Sequence, residues 1–64
     1  MINLNRLDGK EIIINGLLIE MIEKIPDTMI TLTTGKKIIV KQSVEEVILA
    51  FEDFIKRTHS IKQN

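Results

Sequence analysis

Cysteine is missing from this chain of 64 residues, which excludes disulfides and any thiolate metal site. Tryptophan and tyrosine are missing as well, and two phenylalanines are the only aromatics, so the core must be aliphatic and little is offered for stacking nucleic-acid bases. An excess of charge of either sign is lacking too. Nine acidic and nine basic side chains give a formal net charge of zero, which argues against strong sequence-independent binding to nucleic acid or anionic lipid. No apolar run approaches the roughly 18 residues of a membrane span, so the chain is not expected to be membrane-spanning. Met1-Ile2-Asn3 begins a strand pattern and not an export signal, and the expected location is the cytoplasm.

Reactive groups are equally sparse. The one histidine, His59, stands among Thr58, Ser60 and Lys62 without a positioned partner, at a helix end where a cation suits the dipole. Asp8, Asp27 and Asp53 have no paired spacing, and the first two fall in turns, where aspartate serves the backbone. No catalytic residue, cofactor site or metal site is predicted.

Isoleucine, by contrast, is abundant, with thirteen copies. The stretch from Pro26 to Phe51 arranges several of them as a hairpin feeding a helix. Thr28 to Thr33 and Lys36 to Lys41 are β-rich runs around a turn. A two-residue Thr34-Gly35 loop would put Leu32 opposite Lys37. A three-residue Thr33-Thr34-Gly35 loop, with Gly35 left-handed in a G1 bulge, instead pairs Ile30 with Ile38 and Thr28 with Val40, and Leu32 joins them on one apolar face. A one-residue slip moves every side chain to the other face, so the bulged register is preferred. The same design recurs upstream: with Leu7-Asp8-Gly9 as the loop, Leu4 faces Ile12 and Ile2 faces Ile14. Gly9 and Gly35 are thus structural.

Past Val40 the period changes. Ser43 and Glu46 form a capping box, and Val44, Val47, Ile48, Phe51, Phe54 and Ile55 then mark the apolar stripe of a helix over about 44 to 58. The segment 17–25 between the hairpins fits two patterns. Leu18, Ile19, Ile22 and Ile25 lie on a helical stripe, but a strand over 19–25 is preferred, turning at Pro26-Asp27 so that Met21, Glu23 and Ile25 face Leu32, Ile30 and Thr28.

The sequence therefore predicts an α+β fold: a small, antiparallel, strongly twisted sheet of about five strands, from two hairpins and a linking strand, with one C-terminal helix. A single domain is expected over 1–58, with a frayed tail over 59–64. A chain of this length buries only about 60% of its unfolded surface and is marginal alone. One helix covers one sheet face, yet Ile13, Met29 and Ile39 remain on the other and Leu49 on the polar side of the helix. Either the sheet curls into a partial barrel, or these four residues meet a second copy or a partner, and a homo-oligomer is expected.

RLDGKE at 6–11, PDTMITLTTGKK at 26–37 and VKQSVEEV at 40–47 together resemble the flagellar FlbD family of SwrD-like swarming motility proteins, over residues 1 to about 55. Gly16 stands where that family commonly has proline or a small residue. The resemblance implies a small, cytoplasmic, non-enzymatic accessory protein that contacts flagellar motor or assembly proteins at or near the motor, and it supplies no catalytic residues. The competing reading is a small oligomeric RNA- or DNA-binding regulator using Lys36, Lys37 and Lys41. The neutral charge and the lack of aromatics weigh against that reading, and these lysines suit a solvated edge that deters strand aggregation.

Overall fold

Strand β1 (Ile2–Asn5) and strand β2 (Glu11–Ile14) pair with Ile2 opposite Ile14 and Leu4 opposite Ile12. The computed structural model describes residues 1–60, with side chains as far as Thr58. After a 3-10 turn over Gly16–Leu18 come β3 (Ile19–Lys24), β4 (Thr28–Leu32) and β5 (Lys37–Val40), and the last element among the described residues is α1 (Val44–Ser60). Segment 19–24 is therefore a strand and not a helix. The fold is α+β, and the five strands among the described residues divide into a two-stranded sheet β1-β2 and a three-stranded sheet β3-β4-β5.

Both hairpins use the bulged loop, atom for atom. Gly9 donates its N–H to Arg6 O and Gly35 to Leu32 O, each at 2.8 Å, and Arg6 and Leu32 donate to Lys10 O and Lys36 O, also at 2.8 Å. At the middle of each loop a side-chain oxygen accepts from the amide two residues on: Asp8 Oδ1 from Lys10 at 3.0 Å, Thr34 Oγ1 from Lys36 at 3.4 Å. The glycines that follow sit at φ of 92° and 93°, a region closed to most side chains. This fixes Ile30 opposite Ile38 and Thr28 opposite Val40.

The turn between β3 and β4 departs from expectation by one residue. Lys24, not Ile25, faces Thr28; Ile22 faces Ile30 and Met21 faces Thr31. Ile25, Pro26 and Asp27 all belong to the turn, with a cis Ile25-Pro26 bond and the Ile25 N–H donating to Asp27 O at 3.0 Å. The expected register would have set Glu23 against Ile30, which is fully buried; the shift puts Ile22 there and turns Glu23 to the outer face. A bulge between Ile19 and Met21 absorbs the offset, and Ile19 rejoins at Leu32.

The core joins Ile2, Leu4 and Ile14 of one sheet to Ile30, Leu32, Ile38 and Val40 of the other, with Val47 of α1 between them. The helix starts at the capping box: Ser43 N–H donates to Glu46 Oε1 at 2.8 Å and Glu46 N–H to Ser43 Oγ at 3.0 Å. Its inward stripe runs through buried Val47 and partly buried Ala50, Phe51 and Phe54, while Ile48, expected inside, is exposed. Ala50 and both phenylalanine rings pack against the core from this side of the helix. The helix continues two residues past the expected end, to Ser60. The frayed tail expected over 59–64 otherwise lies outside the described residues, as does the side chain of His59.

One clasp joins the sheets. Arg6 bridges to Val40, Lys41 N–H donates to Asn5 O at 2.8 Å, and Asn5 N–H donates to Gln42 Oε1 at 3.0 Å. Gln42 Nε2 returns the bond to Asn5 Oδ1 at 2.9 Å.

Candidate interaction surface

The described residues bring no chemistry-bearing cluster together: among them no group of three or more Asp, Glu, His or Cys side chains could hold a metal ion. What the fold displays is apolar surface. On the outer face of the three-stranded sheet, away from the core, one row reads Glu23, Met29, Ile39 across β3, β4 and β5, and the next reads Met21, Thr31, Lys37. Met29 is half-buried, while Ile39 and Met21 are 43% and 45% exposed. Alternation on β-branched strands produces this face as directly as it produces the core, because Ile38-Ile39-Val40 has an apolar side chain at every position.

Of the four residues singled out by sequence, the structure thus pairs Met29 with Ile39. Ile13 lies on the outer face of the other sheet, opposite Asn3 and 60% exposed, and Leu49 lies on α1 at 65%. The structural residues occupy the two loops (Gly9, Gly35), the β3-β4 turn (Pro26) and the helix cap (Ser43, Glu46).

Sequence reasoning missed Thr31 and Met21. Thr31 is only 7% exposed although it lies in the outer-face row between Met21 and Lys37, and its Oγ1 has no hydrogen-bond partner among the described residues. Met21 reaches this face only because of the shifted register, so no signal in the sequence marked it.

Lys36, Lys37 and Lys41 are exposed along the β5 side, but Phe51 and Phe54 both pack against the core from α1 and leave no stacking platform beside them. Nor is any helix among the described residues long and apolar enough to cross a membrane. Compared with protein families, the chain matches FlbD, described as flagellar and swarming motility proteins, over residues 1–59. The chain belongs to the FlbD family. That places this FlbD protein in flagellar and swarming motility. Comparison with curated proteins and with solved structures finds no match.

Proposed function

We propose that this chain is a non-enzymatic accessory protein of flagellar motility, of the SwrD kind, that works in the cytoplasm by binding protein partners at or near the motor, needs no cofactor, and assembles as a homo-oligomer. The observation that carries the reading is the apolar outer face built by Met21, Met29 and Ile39, on a molecule whose described residues cluster no reactive groups. Ile13 and Leu49 extend the candidate contact surface to the other sheet and the helix. Burying two such side chains contributes about 3 kcal/mol, at roughly 1.5 kcal/mol each, a sizeable share of the stability of a small domain.

The test is co-purification from motile cells, read beside light scattering after size exclusion. The wild-type chain should run larger than a monomer and bring down a flagellar protein. Ile39→Lys, at an exposed position, should fold normally but lose the partner, the oligomer or both. If it keeps both, Ile39 is no contact; if the wild type brings down nothing flagellar, the accessory role falls.

A further inference from the structure

The three-stranded sheet ends on β3, whose outer side no strand covers among the described residues. Antiparallel pairs alternate between residues that exchange hydrogen bonds and residues that turn theirs away. Since Ile25 directs its N–H toward Asp27 across the turn, residues 23 and 21 bond to β4, and Ile22 and Lys24 direct their N–H and C=O groups to the open side. Along that side lies an apolar hollow of about 260 Å³, lined by Ile19, Glu20, Met21, Ile22 and Phe51.

We propose that β3 pairs antiparallel with β3 of a second copy, about a two-fold axis through Ile22. This names the seam of the self-association included in the proposed function and rests on that reading.

The strand's charges select the register. If the axis passed through Glu23, glutamate would face glutamate; through Lys24, lysine would face lysine; like charges directly opposite are unfavourable. Through Met21, Glu20 would face Ile22 and no ion pair would form. Through Ile22, Glu20 faces Lys24 of the second copy and Lys24 faces its Glu20, while Met21 and Glu23 face each other twice. Ile22 meets its own counterpart beside Phe51, over the hollow. Ile22 and Lys24 then become the hydrogen-bonding positions, as their orientation requires. The bulge between Ile19 and Met21 ends the regular ladder at Glu20, and the turn ends it after Lys24. Such an interface is isologous and closes on itself. The result is a continuous sheet of six strands, three from each copy.

Charge reversal at two exposed positions tests this. Glu20→Lys and Lys24→Glu should each fold as wild type by circular dichroism yet dissociate at least about tenfold more readily in analytical ultracentrifugation, since each replaces two attractive pairs by two repulsive ones. Mixed one to one, the two variants should re-form a heterodimer, because both of its charged cross-strand pairs are then of opposite sign. The absence of cysteine permits a second measurement. Met21→Cys and Glu23→Cys chains should form a disulfide when mixed and far less when each is alone, as non-hydrogen-bonded partners lie about 4.5 Å apart at Cα. Dimers indifferent to both charge reversals, or no heterodimer on mixing, would overturn the seam. If such dimers dissociated on Ile39→Lys, self-association would stand and only this seam would fall; a wild type monomeric throughout would sink both.

Discussion

Replacing Gly16 by alanine should destabilise this protein even though the backbone there would accept alanine. Gly16 is not among the glycines with positive φ, so no conformational strain is expected from a side chain as such. The obstacle is space. A Cβ on Gly16 would lie 2.7 Å and 2.9 Å from Cδ2 and Cε2 of Phe54 and 2.9 Å from Cδ1 of Ile2, where carbon atoms in contact sit about 3.5 to 4.0 Å apart. Ile2 Cδ1 is the end of a flexible side chain and can swing. The Phe54 ring, partly buried and packed against the core, has less room to give way. Overpacking of this kind costs about 1 to 3 kcal/mol. The alanine also restricts the unfolded chain, which offsets about 0.4 to 1 kcal/mol. A net loss near 1.5 kcal/mol corresponds to a fall in Tm of about 6 to 12 °C for a domain of this size. Urea unfolding at constant m-value, with calorimetry for Tm, measures it. In a double-mutant cycle, Phe54→Leu should make Gly16→Ala cheaper than in the wild type, since the ring is what the new methyl meets. An alanine variant that melts at or above the wild-type temperature, or strictly additive costs in the cycle, would refute the steric account.

Gly35→Val should lose at least about 1 kcal/mol, because a β-branched residue is disfavoured at positive φ, and Gly35→Asn should lose less; equal melting temperatures would contradict the loop geometry. Ser43→Ala should cost about 0.5 to 2 kcal/mol and Ser43→Asp almost nothing, since aspartate also caps; an equal loss in both would assign the hydroxyl another task. Thr31→Val keeps the shape and removes a buried hydroxyl without a partner, so stability should rise by about 1 kcal/mol in thermal unfolding; a fall would mean that the hydroxyl is satisfied in solution.

How much of this was legible in the sequence depended on whether local chemistry fixed the geometry. The two bulged loops were readable because in each a glycine and an alternating apolar pattern allow only one register that keeps polar side chains out of the apolar row. The capping box likewise marked the helix start to the residue. The β3-β4 turn was not readable at this level: nothing local to Ile25-Pro26-Asp27 says whether Ile25 belongs to the strand or the turn, and only the burial of Ile30 decides that Ile22 must oppose it. The exposure of Ile48 and the inward place of Ala50 depend on how the helix rests on two sheets at once. Gly16 read as punctuation, because the ring it makes room for comes from a helix far along the chain. The candidate surface was half legible: the alternation gave Met29 and Ile39, and the shifted register added Met21. The pairing of Asn5 with Gln42 had no local signature, since neither residue breaks the pattern of its own segment.

That last pair bears on the order in which the chain folds. Each hairpin closes over a three-residue loop, and such elements form within about 1 to 10 μs. The clasp, in contrast, spans 37 positions. Closing a segment of that length costs on the order of 3 kcal/mol in chain entropy, about what the clasp's three hydrogen bonds return at about 1 kcal/mol each. The clasp therefore has to close together with the burial of Leu4, Val40 and Val47, in one concerted docking of preformed hairpins. Transition-state measurements should accordingly find the loop glycines already native-like, with Asn5 and Gln42 gaining their contacts only as the barrier is crossed.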